Sequence, residues 1–120
     1  MSNCSGAFNR RHVVAVALLA SAAPLLSRGA AAEDAVSLSV TIKDGKFEPA
    51  ELHAPPGRAL EVHVTNLNAI PSEFESSDLH FEKIVPVGKE VVVRVRPQQP
   101  GRYTFFDDFH HETQGALVVP

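Results

Sequence analysis

Gly101-Arg102-Tyr103-Thr104-Phe105-Phe106-Asp107-Asp108-Phe109-His110-His111-Glu112-Thr113-Gln114-Gly115 is the stretch around which the chain is organised. Pro100-Gly101 is a turn signal, and the aromatic run that follows favours an extended strand. Asp107 to Glu112 then packs three carboxylates and two imidazoles into six residues. Ala116 to Val119 is apolar again and reads as a returning strand. A strand, a short polar loop and a second strand is how a β-sandwich displays a metal site at one end.

Working outward, the preceding chain repeats the strand signal. Val36 to Ile42 alternates apolar and polar residues, the period of a half-buried strand. Leu60-Glu61-Val62-His63-Val64-Thr65-Asn66 alternates cleanly, with Leu60, Val62 and Val64 expected inside and Glu61, His63 and Thr65 outside. Val91 to Arg96 is a third strand of this kind. Between these lie turns at Asp44-Gly45, Pro55-Pro56-Gly57, Val87-Gly88 and Pro97 to Gly101, and Pro49 marks an edge or a bend. Glu73-Phe74-Glu75 reads as a short strand, and Phe81 to Val85 as a strand edge. No sustained helical period occurs. Short strands with turn signals every eight to twelve residues or so predict an all-β sandwich or barrel.

Residues 1–32 read differently. Arg10 and Arg11 precede an uncharged run from Val13 to Ser27, and Ala30-Ala31-Ala32 supplies small residues for a peptidase. That order is expected of a cleaved secretory signal peptide, which would export the domain of residues 33–120. Asn9-Arg10-Arg11-His12-Val13-Val14 resembles a twin-arginine export motif, the route that would carry the protein out already folded. Loss of the leader leaves 8 basic and 14 acidic residues, a net charge of −6. So acidic a domain lacks the basic face that nucleic-acid binding needs, and it suits cationic partners, metal ions included. The single cysteine, Cys4, and the single methionine, Met1, both lie in the leader, so no disulfide is expected in the domain. The domain shows no Ser-His-Asp ordering, glycine-rich phosphate loop or nucleophilic cysteine.

Two constellations carry chemistry. Carboxylate plus imidazole in Asp107 to Glu112 is a borderline-hard donor set, suited to Cu(II), Fe, Mn or Zn rather than to sulfur-seeking Cu(I). The loop leaves open which carboxylate shares a face with His110. In Glu73-Phe74-Glu75, an extended Phe74 directed into the core would send both glutamates to the other side. Each would raise the pKa of the other unless a cation lay between them. His80 follows this patch by five residues and could reach a site at the end of the sandwich, whereas His63 and His53 read as surface residues.

Phe47-Glu48-Pro49, Pro56-Gly57, Val64-Thr65-Asn66, Glu73-Phe74, Gly88, Pro100 to Phe105 and Gly115 to Val119 together resemble the cupredoxin family, over roughly Val40 to Val119. The resemblance implies a Greek-key β-sandwich with a metal site at one end. It departs from blue-copper members at the ligands. Ser72 or Glu73 stands in the region of the first histidine, Asp107 stands where cysteine would follow the aromatic strand, and the loop to Gly115 has no methionine. A type-1 blue copper site requires a thiolate, so that centre is excluded. Glu73-Phe74-Glu75 with Phe105 to His110 is similar to the cysteine-free cupredoxin-like domains of bacterial periplasmic iron uptake, the EfeO cupredoxin-domain and FtrB type. That resemblance implies copper or iron as the bound metal, and a membrane iron permease and a second periplasmic metal-binding protein as partners. It also implies a part in the oxidation or hand-over of ferrous iron. The expected ligands are Glu73, Glu75, Asp107 and His110, with Asp108, His80 and His111 as second candidates. Two rival expectations stand beside it: a periplasmic copper carrier, and a partner-docking sandwich that holds no metal.

Overall fold

The computed structural model describes residues 34–120; the expected leader, residues 1–32, lies outside the described residues. Nine strands follow in order: β1 Val36–Lys43, β2 Lys46–Glu48, β3 Glu51–His53, β4 Leu60–Asn66, β5 Ser72–Ser76, β6 Phe81–Val85, β7 Glu90–Val95, β8 Gly101–Asp107 and β9 His110–Val119. They form a Greek-key β-sandwich, with a four-stranded sheet in the order β2-β1-β4-β7 and a five-stranded sheet in the order β3-β9-β8-β5-β6. The β1–β4 and β3–β9 pairs are parallel and the other pairs antiparallel. Pro49 stands where the chain leaves β2 in one sheet for β3 in the other.

The alternation in the sequence becomes the division between core and solvent. Leu60, Val62 and Val64 are buried, as are Val40, Ile42, Val93 and Val95 from the neighbouring strands. The two sheets meet on aromatic rings. Phe47 lies edge-on to Phe105 at 4.9 Å and to Phe74 at 5.7 Å, while Phe74 contacts Phe105 at 5.1 Å and Phe81 at 4.7 Å. Such edge-to-face pairs contribute about 0.5–1.5 kcal/mol each beyond the area they bury.

The polar loop expected over Asp107 to Glu112 is mostly strand. β9 begins at His110, and only Asp108 and Phe109 form the turn. The cause is an irregularity in the ladder. Phe106 pairs with Gln114 but Asp107 pairs with His110, so His111, Glu112 and Thr113 are extra residues on one side. Thr113 is buried within this bulge, and its hydroxyl donates to Gly45 O at 2.6 Å, tying the bulge to the β1–β2 turn. Bulges of this kind turn side chains away from simple alternation.

Candidate metal centre

β5 carries the first half of the site. Phe74 is 1% exposed in the core, so Glu73 and Glu75 point to the outer face of the five-stranded sheet, the arrangement expected from the sequence. β5 is flanked by β8 and β6. Opposite Glu75 stand Phe106 on β8 and Glu82 on β6. The amide of Asp108 donates to Glu73 O at 2.9 Å, which brings the β8–β9 turn alongside. One carboxylate oxygen each from Glu73, Glu75 and Asp108 then lies within 4.8 Å of the others. Glu73 is only 8% exposed, Glu75 is half-buried and Asp108 lies open to solvent.

These groups raise one another's proton affinity. The carboxyl of Glu73 is pushed above its ordinary value first by a hydrogen bond shared with Glu82, then by burial and by the charges of Glu82, Asp108 and Glu75. Glu75 is raised by burial and by the charges of Asp108 and Glu82, and His111 opposes the rise. The Nε2 of His111 lies 3.0 Å from Asp108 Oδ1, and its ring meets Phe106 edge-on at 6.0 Å. Four carboxylates and an imidazole thus share the outer face around Phe106.

Asp107 points the other way. It pairs with Phe74 across the ladder and is fully buried. Its Oδ1 accepts hydrogen bonds from the amides of Glu73 and Phe109, each at 3.0 Å, and its Oδ2 lies 3.2 Å from His110 Nδ1. The question left open by the sequence is answered here: Asp107 shares a side with His110, and Asp108 with His111. Ser72, also buried, has a hydroxyl with no hydrogen-bond partner among the described residues. The four expected ligands therefore divide, with Glu73 and Glu75 on the outer face and Asp107 and His110 inside the turn. Of the second candidates, Asp108 and His111 join the outer group. His80 lies beyond the far end of β5, next to Asp78, and is not gathered with them.

Glu82 went unnoticed in the sequence. The signal was there: Glu75 and Glu82 pair across the β5–β6 hairpin, as Ser76 and Phe81 do. Reading Glu-Phe-Glu and Phe-Glu-Lys as two arms of one hairpin would have put the third glutamate beside the second.

The donor set decides which metal suits the site. In the described residues there is no thiol, and the oxygens of Asp107 are engaged by two backbone amides and one imidazole. A type-1 centre does not fit. The outer face offers only carboxylate oxygen and one imidazole, which fits a hard or borderline cation such as Cu(II) or iron.

The cupredoxin-like domain family matches residues 12–119. An uncharacterized protein of Rickettsia prowazekii (strain Madrid E) is 36% identical over 88 residues, covering 72% of this chain and 70% of that one. Among solved structures, the metal-binding domain of the Streptococcus pneumoniae D39 Cu(I)-exporting P-type ATPase CopA superposes with a TM-score of 0.62 at 19% identity, covering 70% of this chain and 84% of that one. Auracyanin A, a "blue" copper protein from Chloroflexus aurantiacus, superposes with a TM-score of 0.61 at 15% identity, covering 72% of this chain and all of that one. At such identities the structures testify to the fold, whereas the family match spans most of the chain. This chain belongs to the cupredoxin-like domain family.

Proposed function

We propose that this protein is a periplasmic, cupredoxin-fold metal-binding component of ferrous-iron uptake, holding copper or iron on the outer-face carboxylates Glu73, Glu75 and Asp108, with Glu82 beside them. The observation that carries the reading is the approach of three carboxylate oxygens to within 4.8 Å of one another, one from a buried side chain. Gathered carboxylates repel, and a cation among them turns that repulsion into attraction. The resemblance to cysteine-free iron-uptake domains rests on Glu73-Phe74-Glu75 and Phe105 to His110, and these motifs lie on adjacent strands, β5 and β8, and the turn that follows. As cargo, iron is held more tightly by carboxylates in its ferric form. These carboxylates would stabilise the ferric product, and so would favour loss of one electron from Fe(II) to a one-electron acceptor held elsewhere, such as a separate Cu(II). A membrane iron permease and a second periplasmic metal-binding protein are the partners in this reading.

Titration of the metal-free protein with Cu(II), Fe(II), Mn(II) and Zn(II) tests it. Saturable binding of Cu(II) or iron near one equivalent, weakened about tenfold or more in Glu75→Gln, is expected. Binding no tighter than that of a scrambled acidic peptide would overturn it. Preference for Cu(II) with no affinity for iron would select the copper-carrier alternative.

A second reading, a docking module without metal, is favoured by apolar side chains exposed at the same end. Leu67, Ile70 and Phe109 are 55%, 48% and 48% exposed. Under that reading the acidic face contacts protein, and alanine at Phe109 would weaken partner binding while leaving every metal titration flat.

A further inference from the structure

The other end of the sandwich holds a cleft lined by basic side chains. β5 and β7 both run away from the Asp108–Phe109 turn, so the β5–β6 hairpin tip and the last residues of β7 lie at the far end. There Leu79, His80, Arg94, Arg96 and Gln98 line a cleft of about 310 Å³. None of the five is acidic, in a domain where acids outnumber bases 14 to 8.

The walls of the cleft are fixed by hydrogen bonds. Ser76 Oγ donates to Thr104 O at 2.7 Å and accepts from the Leu79 amide at 3.0 Å, which holds the hairpin tip and buries Leu79. His80 then sits in the left-handed backbone region, with φ 60. The hairpin carboxylate Asp78 accepts with Oδ2 from the amide and hydroxyl of Thr104 at 2.9 and 3.1 Å, and it also lies close enough to His80 to feel its charge. On the opposite wall, Gln98 Nε2 donates to Arg96 O at 2.7 Å. Arg94 spends only Nε on a long contact with Glu61, at 3.8 Å. No carboxylate of the described residues lies within ion-pair distance of Arg96.

We propose that this cleft binds a small oxyanion carrying two or more negative charges, a phosphate or a polycarboxylate. Two guanidinium groups offer forked donors matched to the paired oxygens of either class, and an imidazole stands across from them. The apolar floor at Leu79 removes water from one side and strengthens each contact. The proposal is independent of the metal reading, because its residues lie at the other end of the fold.

The test uses the metal-free full chain, isotopically labelled, titrated separately with inorganic phosphate and with citrate at constant ionic strength. Amide shifts at Leu79, His80, Arg94, Arg96 and Gln98 are followed. Saturable shifts centred on these residues are expected with at least one of the two probes, and the responding probe tells phosphate from polycarboxylate. Affinity should fall by roughly tenfold or more in R94Q/R96Q, and less in R96K, which keeps the charge but loses the fork. Shifts that never saturate, or equal binding by wild type and R94Q/R96Q, would overturn the proposal. Should R94Q/R96Q fold poorly, undiminished binding by R96Q alone, together with undiminished binding by R94Q alone, would do the same.

Discussion

Glu73 is a carboxylate nearly stripped of water with three acidic neighbours, Glu82, Asp108 and Glu75. Without a cation that position opposes folding, so Glu73→Gln should raise the melting temperature of the metal-free protein at neutral pH. The same substitution should weaken metal binding by about tenfold or more. Melting and titration of one variant thus read the two opposed effects together. Asp107 is the contrasting case. It looks like a ligand in the sequence, but its oxygens already accept from two amides and face an imidazole. Asp107→Ala would leave the Glu73 and Phe109 amides without their acceptor, a loss of roughly 3 kcal/mol in chemical denaturation. Asp107→Asn keeps an acceptor oxygen for those amides and should lose less. These roles were only half legible beforehand. The outward pair Glu73 and Glu75 followed from period-2 alternation around Phe74. The split between Asp107 and Asp108 did not, because the extra residues 111–113 break the ladder where alternation would have been counted.

At the scale of elements, the site is a strand, its hairpin partner and one tight turn. Lengthening the turn by two glycines between Asp108 and Phe109 should move Asp108 off β5. We expect the sandwich to persist in circular dichroism while metal affinity falls by about tenfold. A different element contact holds β9 against its neighbours. A Cβ on Gly115 would stand 2.4 Å from Phe105 Cε2 and 2.7 Å from Ala50 O. Gly115→Ala should therefore destabilise the fold by roughly 2–3 kcal/mol, measured by denaturant unfolding. The strands themselves were readable because their apolar residues recur every second position and glycine or proline separates them. The early start of β9 was not, since His110-His111-Glu112 has no apolar alternation. It is strand because the pairing of Asp107 with His110 and the Thr113 bond to Gly45 hold it there. Glu82 escaped notice for a related reason: strand partners are set by hairpin register, which charge patterns in one dimension do not display.

For the whole molecule, the raised carboxyls set a pH dependence. Glu73 and Glu75 sit above the ordinary value of 4.5 in the folded state, so the fold binds protons that the unfolded chain releases. Their contribution to stability is fully present below 4.5 and is lost as pH rises through the folded-state values. Asp78 runs the other way: it is held below 3.8, and its contribution is lost only as pH falls through its folded-state value. The metal-free protein should thus melt at a lower temperature at about pH 7 than at about pH 5. Bound metal should reverse that order, because it requires the deprotonated carboxylates. The fold was legible almost throughout, since the cupredoxin-like pattern runs the length of the domain. The site was legible only as a neighbourhood, because its members come from three separate segments. The central claim is that the metal lies on the outer carboxylate face. The most direct test is a calorimetric titration of wild type, Glu73→Gln/Glu75→Gln and Asp107→Asn with Cu(II) and Fe(II) under anaerobic conditions. The account predicts saturable binding by wild type, loss in the double glutamate variant and near-normal affinity in Asp107→Asn. Loss in Asp107→Asn with retention in the glutamate variant would contradict it and place the metal inside the turn.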